Sequence, residues 1–423
     1  MIQERNVKPY VISRHLIMAA WAKVRSNRGS AGIDGVEIAD FESNLKPLLY
    51  KVWNRMSSGS YFPSAVKLVE IPKSNGGKRP LGIPTVADRV AQMSVVLTIN
   101  PLIEPYFHAD SYGYRPERSA HDALSVARER CWQYPWVLDL DISKFFDTID
   151  HELLMKALRL HVNIPWVLLY IDRWLKVPYQ LPDGSLQSRT QGVPQGSVIG
   201  PVLANLFLHY VFDKWMTLYH PCIRFERYAD DSVCHCRSYE EAELLRESIA
   251  RRFASCGLSL NVEKTKIVYC KSNRNRLDYP VTSFDFLGYT FCPRGCRSRS
   301  GHVFTGFVPA ISKKSKQRLN DHIRSWQFRS YPCLRLEQIA ACINPVVRGW
   351  IYYYGKYNPS LLKRHLDYLN WYLARWARRK YKRFHGNVNK SYYWLSGIAQ
   401  REPSMFVHWE WGVIPGMRKL PTG

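Results

Sequence analysis

The sequence predicts an α+β fold ending in a separate helical region, on three observations. Residues 61–82, YFPSAVKLVEIPKSNGGKRPLG, and residues 224–237 each read as two short strands joined by a tight turn. Residues 85–130 and 239–256 carry the apolar spacing of helices. After about residue 305 the composition shifts: residues 311–390 hold 18 Lys and Arg against three acids, Asp321, Glu337 and Asp367.

Along the chain, residues 1–60 read as helices broken at SNRGSAGIDG (26–35), a run of turn-forming residues. In the 61–82 hairpin Val66, Leu68 and Ile71 are strand formers, and Ser74-Asn75-Gly76-Gly77 supplies the turn. WVLDLD (136–141) is a short strand. Asp150 then caps a helix whose Leu153, Leu154, Ala157 and Leu158 share one face. In 224–237 the pair Asp230-Asp231 falls at the turn, and further short strands are expected at 266–269 and 284–291. The basic region is also aromatic, with Trp350, Tyr352, Tyr353, Tyr354, Tyr357, Tyr368, Trp371, Tyr372 and Trp376. At helical spacing most of these rings are expected in a core.

Charge sets the class of partner. The 423 residues carry 60 Lys and Arg against 35 Asp and Glu, a formal net charge of +25. An excess of this size implies a polyanion, with nucleic acid ahead of an anionic membrane surface. The uncharged run over 190–206 and its continuation to 212, TQGVPQGSVIGPVLANLFLHYVF, is long enough to span a bilayer. It opens with Gln, Gly, Pro and Ser and contains Asn205 and His209, so a Gly/Pro loop leading into a buried helix is expected instead, with no membrane partner. MIQERNVKPYVISRH has no apolar signal region, and the ten scattered cysteines suit free thiols in the cytoplasm. Cys292 and Cys296 are the nearest approach to a metal pair, and no second pair follows, so zinc is not expected.

Two acidic clusters carry the chemistry. Asp139-Leu140-Asp141 ends an apolar strand, and Tyr228-Ala229-Asp230-Asp231 lies between Phe225 and Val233. The alternative for the second is an exposed acidic turn, against which its strand–turn–strand setting counts. Carboxylates beside apolar strands are costly unless a cation sits among them. Two Mg²⁺ ions about 3.5–4 Å apart would do this while serving in-line phosphoryl transfer.

These motifs resemble those of reverse transcriptases, and most closely the proteins encoded by group II introns. YADD and WVLDLDISKFFDTIDHELL (136–154) are similar to the polymerase palm. GIDG (32–35), IPKSNGGKRPLGIPTVADRV (71–90) and SYGYRPERSAHDAL (111–124) resemble blocks of the fingers. QGVPQGS (191–197), GLSLNVEKTKIV (257–268) and FLGYTF (286–291) follow in the family's order, and VVRGWIYYYG (346–355) resembles the thumb or maturase domain. The resemblance implies a right-hand polymerase with fingers, a palm built on an antiparallel sheet, and a helical thumb. The expected divisions are an N-terminal extension of the fingers at 1–60, fingers at 61–135 and palm at 136–305, with part of the fingers inserted near 155–200. The thumb or maturase RNA-binding domain would then cover 306–400, and a tail 401–423.

The resemblance also implies roles. Asp141, Asp230 and Asp231 would be the catalytic acids and hold two Mg²⁺ ions, with the backbone carbonyl of Ile142 as a further ligand. Asp139 is the rival to Asp141, which is preferred because it lies five residues before Phe146. Phe146 would pack on the sugar of the incoming nucleotide and exclude a 2′-OH, while Phe145 would be core. Lys73 and Arg79 would grip the triphosphate, with Lys78 able to share that role. Gln195 would line the base-pair pocket, Arg115 would touch template or nucleotide, and Lys264 is a weaker candidate for general acid. Arg375, Arg378, Arg379, Lys380, Lys382 and Arg383 would bind the RNA backbone. One departure is Gly200-Pro201, where the family often has Ser-Pro, which touches the pocket rather than the metal site.

The implied partners are group II intron RNA or another structured RNA template, a DNA primer or target, and dNTPs. The implied activity is RNA-directed DNA polymerisation together with assistance to splicing. Two other readings stay open: a domesticated or antiviral-defence reverse transcriptase with a dedicated noncoding RNA, and a non-catalytic RNA-binding splicing factor. No cluster of paired cysteines and histidines follows residue 400, so no DNA-cutting domain is expected.

Overall fold

The structure, a computed structural model, describes residues 8–72, 77–298 and 300–416. Its strands are β1 (Val66–Pro72), β2 (Lys78–Ile83), β3 (Trp136–Leu140), β4 (Tyr179–Gln180), β5 (Leu186–Gln187), β6 (Arg224–Tyr228), β7 (Asp231–Cys236), β8 (Lys266–Tyr269), β9 (Phe284–Phe286), β10 (Tyr289–Arg297) and β11 (Val303–Ile311). They form three sheets, ordered β2-β1-β4-β5, β6-β7-β3-β8 and β11-β10-β9. With helices between and after them this is the α+β architecture expected. The chain divides into two compact units, Met1–Ala123 with Trp136–Ile267, and Leu124–Pro135 with Val268–Gly423.

In the first unit β1 and β2 make the expected antiparallel hairpin, running from Lys67 opposite Ile83 to Pro72 opposite Lys78. Its turn, with Lys73, lies outside the described residues. Thr85 starts the helix Val86–Ile103 by accepting the Asp88 N–H. That helix is apolar nearly all round and buried along most of its length, so it forms the centre of the unit. The helix expected to run to residue 130 stops here. Residues 107–119 are irregular, and a second helix occupies Ala120–Gln133. Asp150 caps His151–Arg159 as expected, its carboxylate 2.8 Å from the Leu153 nitrogen.

The Gly/Pro loop does lead into a buried helix, Gly200–Leu208, which continues into a π-helical turn, His209–Asp213, and then Lys214–Tyr219. Among the described residues no helix is long and apolar enough to cross a membrane. The palm-like sheet places β7 between β6 and β3, both antiparallel to it. Tyr239–Ala254, capped by Ser238, follows β7.

In the second unit the single strand expected at 284–291 is two, β9 and β10, separated by Leu287 and Gly288 at φ 49° and 78°. β10 then pairs with β11 over nine residues, a hairpin the sequence reading did not contain. The compact units therefore do not divide near residue 305. The hairpin is tied to the short stretch before β3, where Trp132 Nε1 donates to the Phe307 carbonyl at 2.8 Å. Helices Lys313–Ser325, Leu336–Tyr354, Pro359–Lys380, Val388–Arg401 and Val407–Glu410 complete the unit. Its core includes Leu366, Trp376, Leu395, Phe406 and Trp409, so the expected tail contributes Phe406, Val407, Trp409 and Val413 to it. Of the nine aromatic residues singled out above, only Tyr352 is well exposed, as the helical spacing predicted.

Candidate active site

Register brings the two acidic clusters together. β3 pairs with β7 from Trp136 opposite Cys236 to Leu140 opposite Ser232. Asp141 follows Leu140 directly, and its charge reaches both Asp230 and Asp231. β6 and β7 are joined by a two-residue turn, since Tyr228 pairs with Asp231. Its first central residue, Ala229, has φ 57°, the positive φ that tight hairpin turns demand. Asp231 is thus the first residue of β7 rather than part of the turn itself. Asp139 lies opposite Val233, two positions further into the sheet.

The charges respond to this crowding. Burial raises the Asp230 carboxyl above the usual carboxylate range, and the Asp141 charge adds to it. Asp231 keeps solvent contact, yet desolvation, then Asp230, then Asp141 push it up to about 6. Lys264 answers this negative field, its ammonium 3.3 Å from both oxygens of Asp141. Ile142 bridges Leu260, flanked by hydrogen bonds from Asn261 N–H to the Asp141 carbonyl and from Ser143 N–H to the Ser259 carbonyl. In such a wide pair the central residues exchange no bond, so the Ile142 carbonyl points away from Leu260.

Among the described residues no group of three or more His, Cys, Asp or Glu side chains is arranged to hold a metal ion. The donor set is that of an ion taking a few hard oxygens from protein and the rest from water and phosphate, as Mg²⁺ does. Two carboxyls raised by burial and by the Asp141 charge, with an ammonium drawn to Asp141 itself, fit a site that favours cations.

The expected nucleotide contacts divide into those near this site and one that is not available to it. Arg79 lies within the electrostatic field of Asp230 and Asp231, and its Nε donates to Gln195 Oε1 at 2.6 Å. Gly82 N–H donates to the Gln195 carbonyl, which fixes the Gly/Pro loop to β2. Lys78 is held by Glu70 at 2.6 Å. Phe146 lines a cavity of about 330 Å³ with Leu68, Pro80, Tyr179 and residues 187–193, whereas Phe145 packs toward Phe207. Arg115 is turned inward. It bonds Glu104 and the carbonyls of His108 and Ser111, with only 6% of its side chain exposed. This ties down the irregular segment 107–119 and leaves little of the guanidinium for template or nucleotide.

The basic cluster also divides. Arg375, Arg378 and Arg379 line an open cavity of about 560 Å³ with His385 and Gly386. Lys380 donates to the Leu334 carbonyl at 2.5 Å and lies over Trp376, and Arg383 lies over Phe384. Lys382 is exposed. Residues the sequence reading passed over surround the acidic turn. Tyr114 stands 6.4 Å from the Tyr228 ring, its phenol raised by burial and by Asp230. A Cβ at Gly113 would come 2.4 Å from the Ala229 nitrogen, so only glycine allows that approach. Both belong to the block SYGYRPERSA, and its unusual glycine was the available signal.

Comparison with known proteins gives two family matches. Reverse transcriptase (RNA-dependent DNA polymerase) matches residues 71–291, and the group II intron maturase-specific domain matches residues 316–394. The chain is 31% identical to Protein YkfC of Escherichia coli (strain K12) over 309 residues, 64% of this chain and 78% of that protein. It is 33% identical to the group II intron-encoded protein LtrA of Lactococcus lactis subsp. cremoris over 210 residues, 49% of this chain and 34% of LtrA. It is 26% identical to the putative COX1/OXI3 intron 1 protein of Saccharomyces cerevisiae over 276 residues, 64% of this chain and 32% of that protein. The match thus spans about a third of the length of each of the two intron proteins.

Proposed function

The chain belongs to the reverse transcriptase (RNA-dependent DNA polymerase) family, and from that premise we propose that it is encoded by a group II intron and copies intron RNA into DNA. The carrying observation is the strand pairing that brings Asp141 into the field of Asp230 and Asp231. The match of residues 316–394 to the maturase-specific domain supports a second activity, binding the intron RNA to assist its splicing.

The reaction is attack by a primer 3′-OH on the α-phosphorus of a dNTP, with pyrophosphate leaving. Asp141, Asp230, Asp231 and the Ile142 carbonyl are the oxygens that would hold two Mg²⁺ ions. Such a pair supplies activation of the attacking oxygen and neutralisation of the leaving one. Arg79, oriented by Gln195, offers its remaining donors to the triphosphate, where fixed cations oppose the charge that develops on the leaving group. Lys78 shares that role, and so would Lys73 on the same hairpin. Phe146 supplies the wall against a 2′-OH. Lys264, already beside Asp141, is the group able to deliver a proton to pyrophosphate. Arg375, Arg378 and Arg379 offer an open basic cleft to RNA phosphates.

Primer extension on poly(rA)/oligo(dT) with Mg²⁺ tests the reading. Wild-type protein should extend the primer, and Asp230→Asn should not, while both bind RNA. An inactive wild type rejects the polymerase assignment, and extension by the variant at near wild-type rate rejects the site.

A further inference from the structure

One buried cation is not used in the chemistry above. Arg227, two residues before Ala229 in β6, is fully buried, its relative exposure 0%. A guanidinium has five N–H donors in a rigid fork, and here every one is engaged. Nε donates to Asp213 Oδ1 at 2.7 Å and Nη2 to Asp213 Oδ2 at 2.6 Å. Nη1 donates to Asn205 Oδ1 and to the Ala229 carbonyl, both at 3.0 Å. The last donor of Nη2 goes to Ser111 Oγ at 2.8 Å.

The acceptors come from three places in the chain. Asp213 ends the π-helical turn His209–Asp213, and Asn205 lies on the helix before it. A π turn shifts the helix ladder, and its displaced carbonyls need other donors. Arg252 provides them, with Nε 3.1 Å from the Val211 carbonyl and Nη2 3.1 Å from the Tyr210 carbonyl. Asn205 also donates to the Gly113 carbonyl at 2.6 Å, beside the point where Gly113 meets Ala229. A continuous series of bonds therefore runs from Tyr239–Ala254 through the π turn to Arg227 and ends on the carbonyl of Ala229. That residue holds the positive φ that turns the chain into Asp230 and Asp231.

We propose that Arg227 is a positioning residue, clamped by Asp213 and Asn205, that fixes where the Ala229-Asp230 turn presents the carboxylates of Asp230 and Asp231 to metal. The inference rests on the polymerase reading and deepens it. Neither Arg227 nor Asp213 touches the reacting atoms. Their effect passes through one backbone carbonyl, and a displacement of an ångström at a reacting centre can cost about 10²-fold in rate. A buried Arg–Asp pair adds little net stability compared with apolar residues of similar volume, so a role in geometry accounts for it better than a role in stability.

The test compares wild type, Arg227→Lys and Ser111→Ala in primer extension across a Mg²⁺ titration, with melting curves for each. Tyr61→Phe, which removes a buried bond to Asp88 elsewhere in the unit, is the control for lost stability alone. Folded Arg227→Lys should lose about 10²-fold in kcat, need more Mg²⁺ for half-maximal rate, and keep its KM for dNTP. Tyr61→Phe should melt earlier with an unchanged Mg²⁺ requirement. If Arg227→Lys does not fold, Ser111→Ala decides, since it removes one oxygen and should shift the Mg²⁺ requirement in the same direction by a smaller factor. An active wild type whose folded variants keep wild-type kcat and Mg²⁺ dependence overturns the inference and leaves the polymerase reading standing. An inactive wild type overturns that reading instead.

Discussion

At the scale of single residues, Asp231 makes a pH prediction. Its carboxyl holds a proton more tightly in the folded chain than in the unfolded one. Metal-free protein therefore loses stability as pH rises from the ordinary 3.8 through about 6. A divalent ion offsets that loss only where the carboxyls are ionised. Mg²⁺ should raise the melting temperature clearly near about pH 7.5 and much less near about pH 5. Equal shifts at both would show that the ion binds elsewhere. Phe146, which faces a cavity, gives the second prediction. Phe146→Ala should raise the preference for ribonucleotides by about 10- to 200-fold, read as a ratio of kcat/KM values. Unchanged sugar selectivity rejects the assignment. The closeness of Asp141 to Asp230 and Asp231 was legible because WVLDLD and YADD set carboxylates at the ends of short strands. Arg227 and the inward turn of Arg115 were not, because a charged residue's burial depends on partners distant in the chain.

At the scale of elements, runs with their own turn or cap chemistry were legible: the β1–β2 hairpin, β3, the Asp150-capped helix and the β6–β7 turn. The β10–β11 hairpin was not, because its strands contain Pro293, Gly295, Gly306 and Pro309 and show no clean alternation. The end of the chain was misjudged for a related reason. Met405–Val413 is short and rich in tryptophan, and its role depends on Asn370. That amide, 0% exposed, donates to Asp367 and to the Val413 carbonyl, and accepts from Trp409 at 2.8 Å and His408 at 3.0 Å. Asn370→Ala leaves several buried groups unpaired and should cost about 3 kcal/mol in urea unfolding of the full chain. An unchanged midpoint would refute this. Burial pushes His408 down to about 3, so its neutral ring donates, and this support is present above pH 6.5 and lost as pH falls toward 3.

At the scale of the whole molecule, the net charge of +25 predicted a polyanionic partner before any motif was read. RNA affinity should fall steeply with salt. Replacing Arg375, Arg378 and Arg379 together by Ala should reduce the slope of log affinity against log salt by about 2. Loss of affinity without a change of slope would mean that these side chains meet no phosphates. The two compact units are also not consecutive in sequence. Leu124–Pro135 belongs with Val268–Gly423, although Trp136–Ile267 is made between them. On the ribosome this stretch emerges long before its partners, and at about 5–20 residues per second the wait lasts on the order of ten seconds or more. Until then Trp132 lacks the Phe307 carbonyl to which its ring nitrogen donates. A gene split after residue 267 would leave Leu124–Pro135 on one fragment and the hairpin it is tied to on the other.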